Sequence, residues 1–371
     1  MALKRILLAA GGTGGHVFPA IAIGTALEAE GCKIQFQTDK RGAKLLAAKN
    51  IETKHFSVNA LAAASPFAGS LPRRLIAITK LAFGTIQASW QMLWSRPQVV
   101  LGFGGYASAP SLLAANLLRI PSALHEQNGR IGRANLLLAR LTGHLLLTWQ
   151  DSHPLPASAK TRLTGLPVSA ILHDVPAQPV KDVADKIQIH IQGGSLGAHL
   201  FSHMVPKAIA TLPKALQSRL IISQQVRSED LEATRKQYDA LEISAELSPF
   251  FKDIPARLAT ADLIISRSGA ASTAEIAAAG RPAIFIPFAG ALDDHQTANA
   301  EVIVAAGGAH ILQESEATPD TLARLLTTIL NNPQTLPIMG KAARTASQPD
   351  ATNHIITAMR DLAQAKSWSV S

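Results

Sequence analysis

The feature that most restricts the fold is a repeated opening, in which a short apolar run breaks into glycines and then into a helical pattern. It occurs at Arg5–Ala10, followed by Gly11-Gly12-Thr13-Gly14-Gly15-His16, and again at Lys186–Ile191, followed by Gln192–Ala198 (QGGSLGA). A buried strand turning on glycine into a helix is the start of a βαβ unit. Further apolar runs at Lys33–Thr38, Gln98–Leu101, Pro121–His125 and Leu145–Trp149 alternate with helical stretches, the first being Val17–Glu30. Leu220–Ser223, Leu263–Ser266 and Ala283–Ile286 continue the pattern in the second half. The alternation predicts an α/β fold of two Rossmann-like, doubly wound domains facing across a cleft. The expected division is a domain over 1–165, a proline-containing linker over 166–185, a second domain over 186–340 and a helical segment over 341–371 broken at Pro349.

Charge separates the halves. Residues 1–165 carry 18 Lys and Arg against 6 Asp and Glu, a net of +12; residues 166–371 carry 17 against 20, a net of −3. No acid occurs between Thr53 and His125. A basic half implies an anionic partner: nucleic acid, a phosphate-bearing substrate or an acidic membrane face. The few aromatics (5%) and the lack of a recognised module argue against nucleic acid. The lone Cys32 excludes an internal disulfide framework and a cysteine-rich zinc site. No apolar run is long enough to span a bilayer, and the run after Lys4 and Arg5 is too short for a secretory signal, so a cytoplasmic protein is expected.

Glycines after a strand let a ligand approach the backbone, and the following helix offers free N–H groups and a positive dipole end. Both favour phosphate. The P-loop pattern is absent, and Val17 stands where a dinucleotide fingerprint needs its last glycine. Gly102-Phe103-Gly104-Gly105-Tyr106-Ala107 fits the relaxed fingerprint but lacks a well-placed acid, so NAD is not expected. His16, at a helix start, is either a capping or packing group or a general base. Of the other histidines, His125, His295 and His199 lie beside candidate site residues; the rest show no metal-ligand spacing.

In the second half, Arg267-Ser268-Gly269-Ala270-Ala271-Ser272-Thr273-Ala274-Glu275 follows a strand. Small residues at the helix start suit a diphosphate, with Glu275 either accepting ribose hydroxyls or only complementing the helix dipole. The polar run Asp293–Ala300 could reach sugar hydroxyls. No Asp-x-Asp occurs, so a leaving diphosphate would rely on helix dipoles and N–H groups rather than a divalent metal.

Together these segments resemble the peptidoglycan N-acetylglucosaminyltransferase (MurG) family of GT-B glycosyltransferases. The resemblance rests on Gly11–Pro19 (GGTGGHVFP), Gly102–Tyr106 (GFGGY), His125–Asn128 (HEQN), Gly193–Ala198 (GGSLGA), Arg267–Ala270 with Glu275–Gly280 (RSGA and EIAAAG) and Asp294–Ala300 (DHQTANA). It implies metal-free, inverting transfer of GlcNAc from UDP-GlcNAc to the C4 hydroxyl of MurNAc on undecaprenyl-diphosphate-linked pentapeptide, with no cofactor, at the cytoplasmic face of the membrane. It also implies that Phe251 touches uracil, with Phe250 beside it, that Ser195 and Ala270–Ser272 hold the diphosphate, with Thr273 and Ala274 in the same substrate-binding run, that Glu275 holds ribose, and that His295 and Gln296 meet GlcNAc. Thr13, Gly14, Gly15 and Asn128 would reach the donor sugar, and Gly12, Gly104, Gly105 and Tyr106 the acceptor diphosphate. The base lies between His16, placed first, and Glu126. One departure stands out: Ser169 occupies the linker position where the family carries a diphosphate-binding arginine.

A lipid-linked acceptor implies a membrane contact. On a helical wheel Leu71–Trp94 shows two apolar stripes. Leu71, Leu75, Ile78, Ala82, Ile86 and Leu93 are expected to face the core. Ile76, Phe83, Trp90 and Trp94, flanked by Arg73 and Lys80, are expected to meet anionic headgroups. The rivals are a UDP-GlcNAc epimerase, a nucleotide-sugar-binding subunit and a diacylglycerol glycosyltransferase.

Overall fold

The protein is described by a computed structural model that covers residues 3–12, 14–48, 56–63, 70–182 and 184–364. The chain opens with β1 (Arg5–Ala9), α1 (Gly14–Ala29), β2 (Lys33–Thr38), α2 (Lys40–Ala48), β3 (Phe56–Ala60) and α3 (Leu71–Ser95). It continues through β4 (Val99–Gly102), α4 (Gly105–Leu117), β5 (Ser122–Glu126), α5 (Arg133–Thr142), β6 (His144–Leu147) and β7 (Lys160–Leu163). These strands form one parallel sheet in the order β3-β2-β1-β4-β5-β6-β7. The central strands β4 and β5 are buried throughout, as strands of a sheet covered on both faces must be.

The order reverses between β1 and β4, where Ala9 is in register with Gly102. The glycine turns at Gly11–Gly15 and Gly102–Gly105 therefore leave adjacent strand ends, the position at which open α/β sheets bind ligands. The first helix starts at Gly14 rather than at the expected Val17, which puts His16 in its first turn.

The second half repeats the plan. It contains β8 (Ile187–Gln192), α6 (Gly194–Ala210), α7 (Lys214–Gln217), β9 (Leu220–Gln225), α8 (Leu231–Asp239), β10 (Ser244–Ser248), α9 (Ile254–Thr260) and β11 (Leu263–Ser266). There follow α10 (Ala270–Ala279), β12 (Ala283–Phe285), α11 (His295–Ala305), β13 (Ala309–Ile311), α12 (Pro319–Leu330), α13 (Thr335–Thr345) and α14 (Ala351–Ala363). The parallel sheet runs β10-β9-β8-β11-β12-β13. Its reversal lies between β8 and β11, again beneath two glycine turns, with Gln192 paired to Ser266.

Two compact units result: Met1–Pro167 with Asp350–Ser371, and Val168–Pro349. This corrects two expected boundaries. The stretch read as a linker packs on the second unit, where Leu172 and Val175 are buried and Arg344 donates to the carbonyls of His173 and Val175. The C-terminal segment is not one body either. The helical run stops before Pro349, and α14 buries Ile355, Ile356, Met359 and Leu362 in the first unit's core with Ile6, Leu8, Val17 and Ile23.

Helix α3 brings a third correction. Leu75, Ile78, Ile86 and Leu93, expected to face the core, are between 51 and 67% exposed. The inward face is made of Ala77, Gly84, Thr85, Ala88 and Met92. Small residues let the helix approach so closely that a Cβ at Gly84 would lie 2.1 Å from the Ala62 carbonyl oxygen. A hydrophobicity plot underrates such a face because alanine and glycine carry little apolar weight. Both large apolar stripes are consequently left outside. Leu71's side chain lies outside the described residues.

Candidate functional site

In the first unit the glycine turns are braced by side chains. The Asp39 carboxylate, just after β2, accepts the N–H groups of Gly12 (3.0 Å) and Gly42 (2.8 Å). In a dinucleotide-binding domain an acid at that strand end would hold ribose; here it is spent on the loop. Gly104 and Gly105 both adopt positive φ, 86° and 69°, and a Cβ on Gly104 would lie 2.6 Å from the Asn135 side chain. Asn135 Oδ1 accepts the Gly105 N–H at 3.0 Å, and its Nδ2 donates to Glu126 Oε2 at 2.7 Å. Thr13 lies outside the described residues.

The two candidate bases occupy different environments. Glu126 is fully buried, and its oxygens accept N–H groups from Asn128 (backbone 2.9 Å, side chain 3.1 Å) and from Asn135. It orients the HEQN turn and, through Asn135, the start of α4. His16 Nδ1 instead lies 2.7 Å from Gln127 Oε1. Gln127 Nε2 donates to His125 O (2.9 Å) and faces His125 Nδ1 (3.1 Å), while His125 Nε2 lies 2.9 Å from the Gly165 carbonyl oxygen.

The proton positions in this chain follow from its ends. A carbonyl only accepts, so His125 Nε2 carries hydrogen. Burial lowers the His125 pKa to about 4, which keeps the ring neutral and makes Nδ1 an acceptor. Gln127 must then aim its NH2 at His125 and its oxygen at His16, whose Nδ1 donates. In the neutral ring the lone pair is then on His16 Nε2, on the side of the glycine turn, 3.7 Å from where a Cβ on Gly105 would stand. Tyr106 lies half-buried in the first turn of α4.

In the second unit, α10 begins at Ala270 after Gly269 in extended conformation. The Thr273 N–H and hydroxyl both bond Gly269 O, at 2.9 and 3.0 Å, and the Thr273 and Ala274 side chains are buried. The first-turn N–H groups ahead of them belong to Ala270, Ala271 and Ser272. Glu275, partly buried one turn further, has its carboxyl pushed up to about 7 by desolvation. Ser195 lies in the first turn of α6, at the matching place on the adjacent strand.

Around this turn, the buried Arg267 guanidinium donates to the Ile286 and Pro287 carbonyls and pairs with Glu314 at 2.9 Å. It holds the β12–α11 connection, as does Asn299, which donates to Ser268 O at 3.0 Å. Gln296 Oε1 accepts the Phe288 N–H at 3.0 Å, which fixes its amide beside His295 at the start of α11. Phe251 is buried, its ring between His190 (5.7 Å) and the Arg257 guanidinium (3.8 Å), while its neighbour Phe250 is 59% exposed. Ser169 is exposed at the start of a 3-10 turn (Ala170–Leu172).

Several supporting residues escape sequence reading. Gln127 sits inside the HEQN motif, yet only its partners reveal what it does. Asp39, Asn135 and Glu314 stand in no motif; the acid directly after β2 was the one available signal.

Two doubly wound parallel units, each with glycine turns at its switch point, are the fold of GT-B proteins, and the matches to known families give the class as a glycosyltransferase. Residues 6–144 match the glycosyltransferase family 28 N-terminal domain and residues 188–355 the family 28 C-terminal domain. A curated relative from Paramagnetospirillum magneticum, a UDP-N-acetylglucosamine–N-acetylmuramyl-(pentapeptide) pyrophosphoryl-undecaprenol N-acetylglucosamine transferase, is 43% identical over 93% of both chains. One of the same name from Rhodopseudomonas palustris is 41% identical over 94% of this chain and 96% of its own. The crystal structure of Acinetobacter baumannii MurG superposes with a TM-score of 0.80 at 32% identity, covering 96% of this chain and 99% of that one. The chain belongs to the MurG family. No helix among the described residues is long and apolar enough to cross a membrane.

Proposed function

We propose that this protein transfers GlcNAc from UDP-GlcNAc, with inversion, to the C4 hydroxyl of MurNAc in undecaprenyl-diphosphate-MurNAc-pentapeptide. Beyond family membership, the observation that carries the mechanism is the Gln127 hydrogen bond, which commits His16 Nδ1 and leaves Nε2 as the basic atom. An acceptor hydroxyl attacking C1 must lose its proton as the bond forms, and a neutral imidazole nitrogen at a helix start suits that task. Glu126, with both oxygens engaged by N–H donors, supports the turn instead.

The second unit takes the donor. The N–H groups of Ala270, Ala271 and Ser272 and the α10 dipole receive the diphosphate, joined by the first turn of α6 at Ser195. Glu275 accepts the ribose hydroxyls, Gln296 and His295 bind GlcNAc, and the backbone at Phe251 reads uracil. Without an arginine at position 169, diphosphate stabilisation falls to these amides, which weakens donor affinity without abolishing transfer. In the first unit Gly12, Gly104, Gly105 and Tyr106 receive the acceptor diphosphate, and Gly14, Gly15 and Asn128 the donor sugar.

The lipid directs the protein to a membrane. Ile76, Phe83, Trp90 and Trp94 are between 54 and 73% exposed on α3, with Arg73 and Lys80 on the same helix. The unexpected exposure of Leu75, Ile78, Ile86 and Leu93 widens that apolar surface. An apolar groove of about 400 Å³ is lined by Leu81 of the same helix together with Leu113, Leu137 and Leu138, with Tyr106 and Arg140 among its lining. An apolar helix flanked by cations suits peripheral docking on the anionic cytoplasmic face.

The test is incubation of purified protein with labelled UDP-GlcNAc and a short-chain lipid-linked MurNAc-pentapeptide, with and without EDTA. Transfer to the lipid in both arms is expected. No transfer to that acceptor overturns the assignment, product from UDP-GlcNAc alone favours an epimerase, and loss with EDTA without a fall in Tm overturns only the metal-free mechanism.

A further inference from the structure

One turn beyond Ser195, α6 carries two histidines that are themselves one turn apart, His199 and His203, a spacing that the sequence reading passed over. Their rings meet edge to face with centroids 4.6 Å apart. Both turn towards Asp230, the residue directly ahead of α8. His199 Nδ1 lies 2.8 Å from Asp230 Oδ2, and His203 Nε2 lies 3.6 Å from Oδ1. One ligand atom from each residue can be chosen so that all lie within 4.8 Å of one another.

We propose that His199, His203 and Asp230 form a binding site for a divalent transition ion of the Zn²⁺ class. Metal–ligand bonds of about 2.0–2.2 Å in tetrahedral array place ligand atoms roughly 3.4 Å apart. The observed 2.8 and 3.6 Å bracket that spacing, so rotation of exposed imidazoles completes the set. Hydrogen bonding alone accounts for the cluster less well, because 3.6 Å from His203 to the carboxylate is beyond hydrogen-bond reach. Two imidazoles and one carboxylate select Zn²⁺, Co²⁺, Ni²⁺ or Cu²⁺ over Mg²⁺ and Ca²⁺, which prefer all-oxygen shells.

The burial pattern fits a site open to solvent on one side. Asp230 is 7% exposed, and its main chain is fixed by bonds from Thr234 Oγ1 to its carbonyl (2.8 Å) and from its own N–H to Arg227 O (3.0 Å). The two histidine side chains are about half exposed, at 57 and 48%, which leaves a path for the ion and room for water as a further ligand. A bound ion would tie the first turns of α6, the helix that opens from the Gly193 turn, to the start of α8. Its role is a clamp on the second unit.

The test uses tag-free, full-length protein freed of metal by dialysis, titrated with ZnCl2 by calorimetry and followed by thermal melting. One high-affinity Zn²⁺ per chain is expected, with a rise in Tm that MgCl2 does not reproduce. His203→Ala and His199→Ala, both at exposed helical positions that tolerate alanine, should each weaken binding by about tenfold or more and remove the Tm response. Undiminished Zn²⁺ binding in both variants, or no binding by the wild type, overturns the proposal. Circular dichroism of the metal-free variants matching that of the metal-free wild type shows that the loss is of ligands and not of fold.

Discussion

Glu275 permits a quantitative test of how the second unit is built. Burial raises its carboxyl from 4.5 to about 7, so the folded chain holds a proton that the unfolded chain releases. For a group raised on folding, the favourable contribution is complete below 4.5 and is lost as pH climbs through about 7. The full swing is about 3 kcal/mol, at 1.36 kcal/mol for each pH unit between those values. Glu275→Gln keeps the shape and removes the titration. Urea unfolding of wild type and variant at pH 5, 6, 7 and 8, subtracted pairwise, cancels every other titrating group. The wild type should lose up to about 3 kcal/mol relative to the variant between pH 5 and pH 8. A carboxyl-carbon NMR titration would read the midpoint directly. Parallel stability curves, or a midpoint near 4.5, would refute the desolvation argument. The ribose role proposed for Glu275 adds a linked expectation, since a carboxylate accepting hydroxyls binds best when charged. UDP-GlcNAc affinity should rise about tenfold from pH 6 to pH 8 in the wild type and stay level in the variant.

Other outcomes follow from the same geometry. His16→Ala should lower kcat by about 10²–10⁴ with UDP-GlcNAc binding by calorimetry unchanged, whereas Gln127→Ala should lower kcat by only about tenfold. Burial holds His125 and His190 near 4, so each contributes stability that is complete above 6.5 and lost as pH falls towards 4, up to about 3 kcal/mol apiece; urea midpoints falling steeply between pH 6.5 and 4 would show it. Replacing Trp90 and Trp94 together by serine should abolish co-sedimentation with anionic vesicles while transfer to a short-chain soluble acceptor persists.

What escaped the sequence reading in the sheets has a common cause. All four strands it passed over, β3, β7, β10 and β13, lie at sheet edges. Their sequences, FSVNA, KTRL, SAELS and AHI, mix polar and apolar residues because an edge strand is not buried on every side. Central strands such as VVLG and LIIS are continuously apolar and announce themselves. The inward face of α3 was hidden for the opposite reason. Its contact is made by alanine and glycine, whose value lies in how little space they take, and composition scores cannot register that.

The doubly wound architecture, the paired glycine turns and the family can all be read from the chain alone, because strand period, glycine position and short motifs are local properties. The remaining features come from the folded molecule. Tertiary structure paired His16 Nδ1 with Gln127 and surrounded the Glu126 carboxylate with N–H donors. It returned α14 to the first unit's core and brought Asp230 to two histidines on α6. Each of these depends on which residues, tens to hundreds of positions apart, come to share a hydrogen bond or a packed face, and no local pattern encodes that pairing.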